Sequence, residues 1–343
     1  MLEPFGLELN ALALLVATAL AARAVKRRTL TRNGAIAGFC VGFLIVSTGP
    51  RGLLLIYFYQ LGSWATKVRK SEKARLDATV VDHSVRGVVQ VLAVSSVAVM
   101  LSLYHAVTFG RERPIDFSSS SSAAADNNAE RSSVACAVLA HHANSLGDTW
   151  ASELGMLASS RKNRNTAGIS SSMPRLITKP WVHVPPGTNG GVTLSGTSYS
   201  VLGGAIMGLL FALTDLLQNN LLVSAAVEGG EESGASAADA AAVATMVAQI
   251  ATFGGACGFL GSLIDSVLGA TVQASDYDKE TRQIVDAKQI QHSKVKFEGY
   301  DVKRVCGRDW LSNEQVNFVS VVITTVFGGW ILGPWWFAAT AAT

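Results

Sequence analysis

Long apolar runs alternate with polar stretches along almost the whole chain. ALALLVATALAARAV, GAIAGFCVGFLIVSTG, LLLIYFYQLG, VVQVLAVSSVAVMLSLYHAV, SYSVLGGAIMGLLFALTDLL, ATMVAQIATFGGACGFLGSLI and VNFVSVVITTVFGGWILGPWWFA are the clearest. Several reach the roughly 20 residues that carry a helix across a bilayer. With the helix that bears HHANSLGDTWASELG, they predict eight spans at 9–25, 34–48, 51–66, 87–108, 132–158, 198–220, 240–271 and 313–339. The 34–48 segment is short for a full crossing and also fits half of a re-entrant hairpin. The expected fold is all-α: one polytopic membrane bundle over residues 1–343, with seven or eight spanning helices and cytosolic Gly-rich loops.

Composition agrees with the pattern. Of 343 residues, 49% are hydrophobic, 15% are charged and only 8 are proline, which argues against an ordinary soluble domain. The first apolar run is preceded by Glu3 and Glu8 and followed by Lys26, Arg27 and Arg28, the reverse of a signal peptide's charge order, so it reads as a first spanning helix. The connecting segments fall into two alternating sets. One set holds all of the 28 Lys and Arg residues except Arg51, Arg111, Arg113 and Arg131, and the positive-inside rule places it in the cytosol. Residues 118–130 read as a low-complexity, disordered insertion on the other side, the acidic stretch 228–241 resembles it, and 273–312 reads as a large cytosolic loop. Nothing in the charge pattern calls for a nucleic-acid partner, and the oligomeric state is left open.

The topology then shows where the costly polar residues fall. A charged side chain at membrane depth costs roughly 2.5–3.5 kcal/mol even on a lenient scale. Asp148 and Glu153, Asp265, Lys67 and Arg86, and Asn313 and Asn317 come from five different helices and all lie toward the cytosolic face. Asn144, Asp148 and Ser152 repeat every fourth residue and share one helix face, with Glu153 off that stripe. Two carboxylates with nearby amide and hydroxyl oxygens suit a hard cation such as Mg²⁺, which takes few carboxylates and prefers substrate phosphates.

The loop VPPGTNGGVTLSGT, leading into a helix, offers a phosphate cradle of successive backbone amides at Gly187, Thr188, Asn189, Gly190, Gly191, Ser195 and Gly196. It lacks the Walker A pattern. Gly254, Gly258 and Gly261 share a face with Asp265, and Gly34, Gly38 and Gly42 share another; helix packing is the commoner use of such faces. His141 and His142 lack a spaced third ligand and read as structural. Cys40, Cys136, Cys257 and Cys306 form no C-x-x-C pair and read as small core residues.

GAIAGFCVG, LGSWATK, RGVVQVLA, HHANSLGDTWASELG, MPRLITKPWVHVPPGTNGGVTLSGT, GGACGFLGSLIDSVLGATVQ and NEQVNF stand in the order that resembles the transmembrane protein 19 family, from Asn33 to about Phe318. That family is similar to the phytyl phosphate kinases of vitamin E biosynthesis. The resemblance implies an integral membrane kinase that passes a phosphoryl group from CTP or another nucleoside triphosphate to a prenyl monophosphate such as phytyl phosphate. Its expected location is the endoplasmic reticulum or another endomembrane, with the active site facing the cytosol.

On this reading Asp148 and Asp265 hold Mg²⁺, assisted by Asn144 and Glu153, while Lys67 and Arg86 neutralise phosphate oxygens. The 187–197 loop wraps the donor together with Asn313 and Asn317, and the Gly-lined faces of the second and seventh spans admit the prenyl tail. The alternative is a secondary transporter of an anionic, lipid-like substrate, which also sets ionisable residues on Gly-rich helices.

Overall fold

Each apolar block of the sequence is helical in the computed structural model, which describes residues 3–78, 85–117, 123–163, 173–219, 237–285 and 301–340. Helix α1 runs over Leu7–Lys26, α2 over Arg32–Thr48 and α3 over Leu53–Lys67, followed by the single turn α4 at Lys70–Lys73. Helices α5 (Val88–Phe109), α6 (Ala123–Asn163), α7 (Leu194–Asn219), α8 (Ala237–Val272) and α9 (Asn313–Phe327) follow. A π-turn at Gly328–Leu332 joins α9 to α10 at Gly333–Thr340; Pro334 lacks the amide that would continue the α-helical ladder there.

Five of these segments are long and apolar enough to cross a membrane, beginning at Leu7, Val88, Leu194, Ala240 and Asn313. At 17 and 15 residues, α2 and α3 amount to about 26 and 23 Å of helix, less than the ~30 Å hydrocarbon core. They turn sharply into each other at Pro50–Gly52, so 34–48 is one arm of a short helical hairpin. The insertion expected to be disordered is corrected from Ala123 onward. There it forms the first turns of α6, which reaches 41 residues, and its AAA start is the strongest helix-forming sequence available. Residues 118–122, and 228–236 of the acidic stretch, lie outside the described residues.

The centre of the bundle is the crossing of α6, α7 and α8. A Cβ placed on Gly204 would lie 2.2 Å from the Gly254 carbonyl oxygen, one on Gly258 2.5 Å from that of Ser200, and one on Gly147 2.7 Å from the same Ser200 oxygen. Backbones that approach this closely exclude every side chain, which is why glycine occupies these sites. Leu139, Leu146, Met207, Phe211, Ile250 and Phe253 fill the surrounding core.

One end of α3 is tied down by charge. Arg51, in the turn before α3, donates from Nε and Nη2 to the two Asp215 oxygens at 2.8 Å each. Its backbone N–H donates to Glu112 at 3.0 Å, and its guanidinium stacks 4.5 Å from the centre of the Phe211 ring. At the opposite, basic end the connecting segments fold into two small antiparallel sheets that the hydropathy pattern does not announce. β1 (Arg175–Leu176), β2 (Lys179–His183) and β3 (Gly191–Val192) pair in the order β2-β1-β3. β4 (Ser275–Asp278), β5 (Gln283–Val285) and β6 (Val302–Cys306) pair as β5-β4-β6. The strands are too short to show an alternating signature, so they read as loop.

Candidate functional site

The helix stripe around Asp148 and the glycine face that ends at Asp265 meet at one cavity of about 1150 Å³. Asp148 projects from α6 and Asp265 from α8, near enough that the charge of Asp148 bears directly on Asp265. Ser262 hydrogen-bonds Asp148. Ser320 donates to Asp265 at 3.3 Å, and Asn317, with its amide turned to suit its neighbours, donates to the same oxygen at 3.0 Å and to the Asn313 carbonyl at 3.2 Å. Among the described residues neither carboxylate forms an ion pair. A further acid within the bundle, Asp215, is neutralised by Arg51.

Asn144 sits one turn before Asp148 and is wholly buried. Its Nδ2 donates to Thr324 at 3.3 Å, while its Oδ1 has no partner among the described residues. Gly261 provides its seat, since a Cβ there would lie 2.1 Å from that oxygen. Two carboxylates and an unsatisfied carbonyl oxygen make a donor set suited to Mg²⁺, which retains waters and takes phosphate oxygens. Among the described residues no group of three or more His, Cys, Asp and Glu side chains is placed to hold a metal ion, so an ion here would rest on the two carboxylates, the Asn144 oxygen and the phosphates it arrives with.

Glu153 is tied to a basic partner. It lines the cavity, but its carboxylate is paired with Lys73, whose Nζ also donates to the Ala65 and Thr66 carbonyls at 3.0 and 2.9 Å. Lys73 is fully buried and closes the C-terminal end of α3, so Glu153 serves here as its counter-ion at the cavity wall. Lys73→Met is expected to lower stability by about 3 kcal/mol, measured as a reduced melting temperature in detergent; an unchanged melting temperature would mean that this junction needs no charge. Sequence reasoning missed Lys73 because a lysine in a basic loop reads as a topology signal.

The lining also carries positive charge at five positions near the helix ends. Arg27, Arg28, Lys67, Lys70 and Arg86 line the same cavity. Arg86 is pinned by its backbone, which donates to Thr29 and accepts from Thr31, each at 3.1 Å. Gly34 admits this strand, because a Cβ there would stand 2.8 Å from the Arg86 carbonyl oxygen. Burial pulls the Arg86 guanidinium below its ordinary pKa, and Tyr59 and Glu153 oppose the shift; an arriving anion would oppose it further.

The Gly-rich loop lines the cavity at Gly187, Thr188, Asn189, Gly190, Gly191 and Gly196, but it is no open cradle. The amides of Thr188 and Gly191 are bonded within the loop, and that of Asn189 donates to Ser275 at 2.9 Å. Gly190 has φ +74°, and a Cβ there would lie 2.5 Å from Ala270, so this loop is pressed onto α8 and the second sheet. Ser195 is also corrected: its hydroxyl bonds Thr193, which caps α7, and it stands outside the cavity wall. Asn313 and Asn317 are both in the wall, Asn313 accepting from Gln273 at 3.2 Å.

The Gly254 and Gly258 face is taken up by packing against α7, so it offers no space to a ligand, whereas Gly38 and Gly42 do line the cavity. His141 and His142 are buried and bonded to the carbonyls of Val94 and Val138 at 2.8 Å each, in keeping with a structural role.

The family model described as integral membrane protein DUF92 matches residues 15–325. "Protein PGR" of Arabidopsis thaliana is 32% identical over 317 residues, covering 91% of this chain and 92% of that relative. No solved structure matches.

Proposed function

Because this chain belongs to the DUF92 family of integral membrane proteins, we propose that it acts on a membrane-borne substrate as an isoprenoid-phosphate kinase. A phosphoryl group would pass from a nucleoside triphosphate, CTP foremost, to a prenyl monophosphate such as phytyl phosphate. One juxtaposition carries the reading: two carboxylates with no basic partner among the described residues, Asp148 and Asp265, line the same cavity as six cationic side chains, of which Arg304 is paired with Asp276. A site built for one anion needs no acids, and a site built for a cation alone needs no arginines. A metal and phosphates together need both.

In this reading Asp148, Asp265 and the Asn144 carbonyl hold Mg²⁺. When bound, the ion neutralises donor phosphate oxygens. Arg86 and Lys67 hold the acceptor phosphate and the donor's terminal phosphate against their mutual repulsion. An acceptor oxygen forms the new P–O bond as the bond from the terminal phosphorus to its bridging oxygen breaks, and the nucleoside diphosphate leaves with that electron pair. The attacking oxygen is already anionic, so no strong general base is required. Asn313, Asn317 and the 187–191 loop form the side of the cavity against which the donor would rest.

The basic end would face the cytosol of an endomembrane such as the endoplasmic reticulum, following the positive-inside rule and the supply of nucleotide. A carrier of an anionic lipid would need a path to the other end of the bundle, where Arg51, Asp215 and Phe211 are packed together.

The direct test incubates the purified protein with Mg²⁺, CTP or ATP and a panel of prenyl monophosphates, following diphosphate by mass spectrometry. Magnesium-dependent product with at least one pair supports the kinase; its absence across the panel overturns it. Lys67→Ala is expected to weaken nucleotide binding by about tenfold, measured by equilibrium titration; unchanged binding would leave Lys67 as a membrane anchor.

A further inference from the structure

The cavity continues away from its charged walls into an apolar arm. Ala17 and Ala21 of α1, Gly38 and Gly42 of α2, and Val91 and Val94 of α5 line it, with Leu55 and Ile56 of α3 closing the far side. All four elements share one polarity. Charge stands at one end of each, at Arg27 and Arg28 after α1, Arg32 at the start of α2, Lys67 at the end of α3 and Arg86 before α5, and the apolar positions run away from it. Along α1 the lining spans Ala24 to Ala17, about two turns or ~10 Å. A cationic rim over an apolar groove is complementary to an amphiphile with an anionic head and a long hydrocarbon chain.

We infer that this arm seats the acceptor's isoprenoid tail, and that Ala21 and Gly42 set the tail length accepted. The inference rests on the kinase reading for the identity of the head group. It keeps the tail at the second predicted span, adds α1, and drops the seventh, where glycines serve packing. At Gly42 a Cβ would meet Ala17 at 3.7 Å, an ordinary contact, so this position of the arm tolerates a Cβ beside α1.

The test uses the full-length protein in lipid nanodiscs with geranyl and geranylgeranyl monophosphate, each read as equilibrium binding and as turnover. Gly42→Leu and, separately, Ala21→Phe are expected to weaken geranylgeranyl monophosphate binding by about tenfold or more while leaving geranyl monophosphate within about twofold. Val94→Phe, on the facing wall, repeats the measurement if either variant fails to fold. In the unaltered chain, a geranylgeranyl monophosphate with a diazirine in its tail should label α1 or α2 peptides.

Equal loss for both chain lengths, no loss in any variant, or labelling confined to other helices overturns the arm. Binding requires no turnover, so the two readings separate. Length-selective binding by a chain that makes no diphosphate would sink the kinase alone, whereas turnover indifferent to these substitutions would sink the arm alone.

Discussion

Asp148→Asn, assayed in membranes with Mg²⁺, a nucleoside triphosphate and a prenyl monophosphate, is expected to lower diphosphate formation by at least about a hundredfold. Asp265→Asn should do the same. Both carboxylates lie within the bundle without an ion-pair partner among the described residues, so their charges are costly to the folded protein, and the amides should leave its melting temperature unchanged or raise it. The combination matters more than either half. Lost turnover with retained stability marks groups kept for their chemistry, while near-wild-type turnover in both variants would remove the metal assignment.

Arg51→Ala should show the opposite behaviour. Arg51 and Asp215 are 3% and 1% exposed, and removing the guanidinium takes the counter-charge from Asp215 and leaves Glu112 with the residue-51 backbone N–H but without that positive charge beside it. Losing one partner of such a pair costs about 3–5 kcal/mol, visible as a large drop in the detergent melting temperature. Arg51→Ala combined with Asp215→Leu should recover part of that loss, since the Asp215 charge is removed together with its partner's. A single variant that melts like the wild type would show that water or lipid head groups reach Asp215 and that the pair is not sealed.

The sequence pattern was a reliable guide where a residue's burden is set by depth alone. Asp148 and Asp265 stand out because a carboxylate in an apolar run needs a reason, and both lie in the cavity. The same rule applies to Asp215, yet that residue serves structure. Its partner Arg51 lies 164 positions away, and no local spacing links the two. Glu153 and Lys73 are separated by 80 positions and were unreadable for the same reason.

The Gly-rich loop was visible as a segment, but its hydrogen bonding was not, because the groups that consume its amides come from β4 and from the loop's own turn. Glycine faces are ambiguous by nature: Gly258 and Gly42 are both followed by Phe-Leu within a glycine repeat of period four, and only the position of the neighbouring helix makes one a contact and the other a wall. The small sheets escaped notice because two- to five-residue strands carry too little periodicity to compete with loop composition.

The glycine crossing of α6, α7 and α8 has a mechanical consequence. Three main chains in direct touch have no side chains whose rotamers could absorb sliding, so Asp148 and Asp265 ride on a stiff frame with their separation fixed before any substrate arrives. The shorter hairpin of α2 and α3 with its companion α1 has no such glycine crossing, so the lipid substrate proposed above would enter on that side while the two carboxylates keep their places.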